Sequence, residues 1–199
     1  MALESQDLQL EIVALRNTQA LTLVGEDFGA GYAQVALARG LCTRFRFHGH
    51  TLTHTDIAQM GLTPLKAWNL AAAQAQQRAR TSLGIQVHRR PATALDPALV
   101  GGLQLRIPGT SMSTWLAHPE TLQFLNNYAM GLLEQPPVFL LPQQNVLVAM
   151  PKERAHAAGQ WIAERARTGL GAAVPGVLQE RDGFPAFYSA ESPRCAASV

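Results

Sequence analysis

The sequence predicts an α+β fold: a small, mainly antiparallel sheet with helices packed on it. Three observations carry this expectation. The runs "PVFLL" and "VLVAM" are rich in β-formers and are separated only by the polar loop "PQQN", the mark of a hairpin. Stretches with apolar residues every three or four positions open at Pro64, Pro119 and Pro151. No internal repeat or linker divides the 199 residues, so residues 1–188 are expected to form one domain and 189–199 a disordered tail.

Each element follows in order. Leu8, Ile12 and Leu15 lie at helical spacing, which predicts a first helix over 8–16. "ALTLV" (20–24) reads as a strand or as an extension of that helix. After "GEDFGAG", a second helix is expected through "YAQVALARG", with Tyr32, Val35 and Ala36 on one face and Gly40 as its cap. "TRFRFHGH" alternates: Phe45 and Phe47 point one way, Arg44, Arg46 and His48 the other, as in a half-buried strand. Thr63 suits an N-cap and Pro64 a first helical position. Leu65, Trp68, Ala72, Ala75 and Ala79 then form an apolar stripe, with Gly84 as the stop.

"IQVHR" (85–89) and "LQLRI" (103–107) read as strands joined by a loop with one helical turn. Pro119 opens a helix with Leu122, Leu125, Ala129 and Leu132 on one stripe, and Glu120 meets the positive end of its dipole. The hairpin that follows is almost continuously apolar, so both its faces should be covered and it should be central in the sheet. Ala155, Ala158, Trp161, Ile162 and Ala166 mark the last helix. Asp182–Gly183 joins two further strand-like arms, the second weakened by Pro185.

Composition narrows the function classes. Hydrophobic residues make up 47% and charged residues 15%, a light charge that leaves room for apolar surface to be covered by association. Net charge is +2, and the nearest approaches to basic clusters, "RFRFHGH" and "HRRP", lack a nucleic-acid-binding signature. Cys42 and Cys195 are too few for a disulfide framework or a four-cysteine zinc site. No signal-peptide pattern and no long apolar window is visible, so a cytoplasmic, non-membrane location is expected.

Three stretches resemble chemical sites. "GTSMS" (109–113) places Ser111 where a hydrolase carries the nucleophile of G-x-S-x-G, between a strand and a helix. The final glycine is replaced by Ser113, no histidine follows Asp182, and no HGGG-type oxyanion loop is present. The simpler reading makes Ser111 or Ser113 a helix cap. "HGHTLTHTD" clusters His48, His50 and His54, which on one strand face could chelate a divalent metal. If Gly49 is a turn, that shared face dissolves. "GEDFGAG" offers Gly25, Gly29 and Gly31 before the expected helix, the order of a phosphate cradle, but Gln34 stands at the third glycine of G-x-G-x-x-G and Walker A is absent.

The blocks "MGLTPLKAWNLAAAQ", "WLAHPETLQFLNN" and "PVFLLPQQNVLVAMPKERA" resemble uncharacterised bacterial proteins of the YtpQ-like group. That resemblance implies a fold type, no reaction, and no functional residue. The leading expectation is a domain without catalysis or cofactor that binds a protein partner or a second copy of itself, with no nucleic acid and no membrane. The alternative is a small metal-dependent or serine-type hydrolase using His48, His50 and His54 or Ser111.

Overall fold

Both helices expected near the N-terminus are strands in the computed structural model, which describes residues 7–15 and 29–189. Leu8, Leu10 and Ile12 alternate inward along β1 (Gln9–Ala14), while Gln9 stays exposed. The apparent helical spacing of Leu8 and Ile12 is equally an even spacing, and Leu10 between them decides for the two-residue period. β2 (Gln34–Ala38) and β3 (Leu41–Phe47) form a hairpin whose turn uses Gly40 at φ 78°, so this glycine turns a hairpin where a helix cap was expected. β3 is central, with β1 antiparallel on one side and β2 on the other. β4 (His50–Thr51) extends the β2 side by pairing with the end of β3.

Two helices follow. α1 (His54–Gln59) starts at a reciprocal capping box: Thr53 Oγ1 accepts from Asp56 N, and the Asp56 carboxylate accepts from Thr53 N–H. The Thr53 N–H, and beside it the Thr53 hydroxyl donating to the same carboxylate oxygen at 2.7 Å, hold the Asp56 carboxyl below its usual range. α2 (Pro64–Ala79) starts as expected, with Thr63 Oγ1 accepting from Lys66 N–H. It buries Ala67, Trp68, Ala71, Ala72, Ala75 and Ala79. Leu65, expected on that stripe, is 59% exposed. The helix ends at Ala79, and Gly84 instead sits in a short ladder of β5 (Arg80–Thr81) with β6 (Gly84–Ile85).

The second sheet contains β7 (His88–Pro91), β8 (Leu103–Arg106), β9 (Pro137–Gln143), β10 (Val146–Pro151), β11 (Leu178–Arg181) and β12 (Phe184–Phe187). Their spatial order is β12-β11-β9-β10-β8-β7, all antiparallel, with the apolar hairpin in the middle. Asp182 and Gly183 turn the β11–β12 hairpin at positive φ, and Pro185 is tolerated on an edge strand. α3 (Met112–Leu116), α4 (Pro119–Leu133) and α5 (Ala155–Arg167) complete the α+β fold.

Alternation along β9 and β10 divides the core. Phe139, Leu141, Leu147 and Ala149 join Trp115, Leu116, Leu122 and Leu125 of α3 and α4, and the same cluster contains Leu10, Ile12 and Phe45 of the first sheet. Val138, Leu140, Val148 and Met150 face Ala155, Ala158 and Ile162 of α5. One apolar cluster therefore spans both sheets, with α3 between them.

Candidate functional site

The hydroxyl-rich motif lies where the two sheets meet. β1 is an edge strand, and Leu10 and Ile12 turn their backbone groups away from β3. Helix α3 meets them. Thr114 Oγ1 accepts from Leu10 N–H at 3.0 Å and donates to Leu10 C=O at 3.2 Å. Ser113 Oγ accepts from Ile12 N–H at 2.7 Å. Gln144, in the β9–β10 turn, donates from Nε2 to the Glu11 carboxylate at 2.9 Å and to Ile12 C=O at 3.4 Å. Side chains thus complete the ladder that an edge strand lacks, as buried backbone groups require.

The other hydroxyls have equally definite partners. Thr110 Oγ1 accepts from Trp115 Nε1–H at 2.7 Å, which satisfies the indole of a fully buried ring. Ser111 stands at the N-cap of α3 but makes no side-chain cap. It donates to Gln144 C=O at 3.0 Å, and that carbonyl also accepts Ser113 N–H. The expectation that Ser111 or Ser113 caps the helix holds for the position of Ser111 and not for its side chain: both hydroxyls tie α3 to neighbouring backbone.

Beside this junction is a polar cleft of about 230 Å³, lined by Gln9, Glu11, Arg46, His48, Ser111 and Gln144 among others. It brings together one candidate histidine and the candidate serine, which the sequence leaves unconnected. Arg46 lies 3.7 Å from the Glu11 carboxylate and donates to Gly49 C=O. His48 Nε2 lies 3.9 Å from Asp7, which also pairs with Arg78 at 3.3 Å. No hydrogen bond joins His48 to Ser111 among the described residues; the hydroxyl proton goes to a backbone carbonyl. An activated serine nucleophile is hydrogen-bonded to its base, and here the Ser111 hydroxyl is bonded to Gln144 C=O instead.

His50 and His54 are elsewhere. His48 (φ 46°) and Gly49 (φ 85°) are the turn between β3 and β4, so His48 lies in the reversal, His50 follows it on β4, and the two share no strand face. His54 begins α1. Among the described residues, no group of three or more His, Cys, Asp or Glu side chains is placed to hold a metal ion. Gly25 lies outside the described residues, as does Cys195. Gly29 and Gly31 lie in a turn whose carbonyls accept Thr55 and His54 N–H, and strand β2 follows where a phosphate cradle needs a helix.

His118, passed over in the sequence, is the most constrained histidine. It is the N-cap of α4: Nδ1 accepts Glu120 N–H at 3.3 Å, and Nε2 lies 3.2 Å from Asn69 Oδ1. These partners define a neutral ring protonated at Nε2. Burial against Trp68, 4.5 Å between ring centroids, holds its pKa below the usual histidine value, and Glu120 opposes this in part. A histidine just before a proline-initiated helix is the signal that could have found it. A second cleft, about 310 Å³, lies nearby and is lined by Glu120, Gln123, Asn126, Asn127 and Glu180 among others; its lining has two carboxylates and no serine, threonine, cysteine, lysine or histidine.

Comparison with known proteins found no matching family model, no matching curated protein and no matching solved structure. Among the described residues, no helix is long and apolar enough to cross a membrane.

Proposed function

We propose that this chain is a protein-binding domain without catalysis, engaging a second copy of itself or a partner protein. One observation carries the reading. The β5–β6 ladder ends in a tight turn that holds Leu83 89% exposed at its tip. The turn is internally hydrogen-bonded: Leu83 N–H donates to Thr81 Oγ1 at 3.2 Å, Thr81 Oγ1 donates to Gly84 C=O at 2.8 Å, and Gly84 takes φ 97°. Ile85 and Val87 pack against the core and anchor it. A preorganised leucine loses little entropy on binding, and its burial is worth roughly 1.5–3 kcal/mol. Its neighbours in chemistry support the same reading: Tyr32, Leu65, Val100 and Leu170 are also more than half exposed.

Sedimentation velocity at tens of micromolar, on the wild-type chain and on Leu83→Asp, tests the proposal. Expected is a concentration-dependent association that Leu83→Asp weakens roughly tenfold or more without lowering the melting temperature. A wild-type monomer at every concentration rules out self-association. Wild-type association unchanged by Leu83→Asp overturns the role of the hairpin tip.

A further inference from the structure

We infer that the free edge of β7 is a docking site for an acidic, extended segment of a partner protein, added as a further strand to the six-stranded sheet. The inference rests on the protein-binding reading and names the partner's chemistry. β7 is the last strand of its sheet, and His88, Arg89, Arg90 and Pro91 are all exposed. The strand register places His88 opposite Arg106 and Arg90 opposite Gln104. His88, Arg90 and Arg106 therefore share one face, and Arg89 projects from the other. Arg90 Nε donates to Gln104 Oε1 at 2.7 Å. Among the described residues, no carboxylate pairs with Arg89, Arg90 or Arg106.

The backbone pattern shows which groups are free. Ala92 N–H donates to Gly102 C=O at 2.9 Å, so the opposed pair 92/102 is a hydrogen-bonded one. Alternation makes 90/104 and 88/106 hydrogen-bonded pairs and 89/105 a non-bonded pair. The N–H and C=O of Arg89 consequently point to the open edge. Strand addition uses such main-chain groups for affinity and flanking side chains for selectivity. Here the flanking side chains are cationic. A second copy of β7 would meet like charge across the pair, which is unfavourable, whereas glutamate or aspartate would be matched. The paired strands β7 and β8 carry no Phe, Tyr or Trp, and the small imidazole of His88 is their one aromatic ring, so the run of large aromatic platforms that single-stranded nucleic acid sites use is not present on them. Charge complementarity and an open ladder together favour the acidic peptide.

Fluorescence anisotropy with a labelled alternating glutamate–threonine decapeptide tests this on the full chain. Expected is binding that weakens with added salt and falls roughly tenfold or more in the Arg90→Glu/Arg106→Glu variant. Arg89→Ala removes charge and keeps the N–H. Arg89→Pro removes both, and it spares the β8 ladder because that N–H points outward. Arg89→Pro should therefore bind more weakly than Arg89→Ala, with circular dichroism and melting temperature confirming that both variants fold. No peptide binding, binding indifferent to the charge reversal, or equal binding by the two Arg89 variants overturns the inference. So does tighter binding of a single-stranded oligonucleotide or a phosphatidylserine vesicle at the same salt. Sedimentation of Leu83→Asp reads a different surface, so failure here leaves the self-association result to stand or fall separately.

Discussion

Replacing Thr114 by valine tests the claim that the hydroxyl-rich motif is a structural joint. Valine keeps the branched shape, so little cavity is created. What disappears is the one oxygen that both accepts Leu10 N–H and donates to Leu10 C=O. Leu10 and Thr114 are each about 1% exposed, so water cannot take over without opening the sheet junction. An orphaned buried donor costs about 1–3 kcal/mol, and a carbonyl left short adds less. The expected loss is therefore roughly 2–3 kcal/mol, which for a chain of this size lowers the melting temperature by roughly 5–10 °C. Urea unfolding measures it, with an unchanged m-value showing that the transition remains the same one. Ser113→Ala, which orphans only Ile12 N–H, should cost about 1–2 kcal/mol. Ser111→Ala should cost about 0.5–1 kcal/mol, because Gln144 C=O keeps its bond from Ser113 N–H. The reasoning is refuted if Thr114→Val costs less than about 0.5 kcal/mol or if the order of the three variants is reversed.

Two further outcomes follow from buried groups. His118 has a folded-state pKa below its unfolded value; the unfolded chain takes up the proton first, so stability present above about pH 6.5 declines as pH falls through that value and levels off below the folded pKa. Urea midpoints across that range should show the decline, and His118→Asn, which keeps a capping acceptor, should remove its share. Trp115→Ala should cost about 3–5 kcal/mol, because the ring is fully buried and its Nε1–H bond to Thr110 is lost as well; a stable, cooperatively unfolding variant within about 1 kcal/mol of wild type contradicts the packing described.

The α+β class, the central hairpin and the starts of α2 and α4 were legible because each rests on local chemistry. Thr63–Pro64 and Pro119 mark helix starts, and an apolar run broken by "PQQN" leaves little but a hairpin. β1 and β2 resemble helices in sequence for a physical reason. Over eight residues, apolar positions at 8, 12 and 15 satisfy a helical period while 8, 10 and 12 satisfy a strand, and only burial distinguishes them. "QVALA" is made largely of good helix formers, and pairing with β3 overrides that preference. The site was half legible. Ser111 and His48 were picked out separately, and nothing local in the sequence announces that residues 63 positions apart line one cleft. Gln144 was invisible as a partner for Glu11, 133 positions away.

The resemblance of "GTSMST" to a nucleophile elbow has a common origin with its structural use. Both use small hydroxyl residues at the point where a strand ends and a helix begins, where short side chains reach groups outside their own element. An elbow aims one hydroxyl into an open site. Here four hydroxyls, of Thr110, Ser111, Ser113 and Thr114, are each bonded to a protein group. The two open edges explain the difference. β1 is buried against α3, so every backbone group facing away from β3 at Leu10 and Ile12 must find a protein partner. β7 is exposed, so water can satisfy Arg89, and its cationic side chains and Pro91 are enough to keep like edges apart. Polar residues on the buried edge are consumed by the fold, whereas the side chains of the β7 edge and Leu83 stay exposed to solvent.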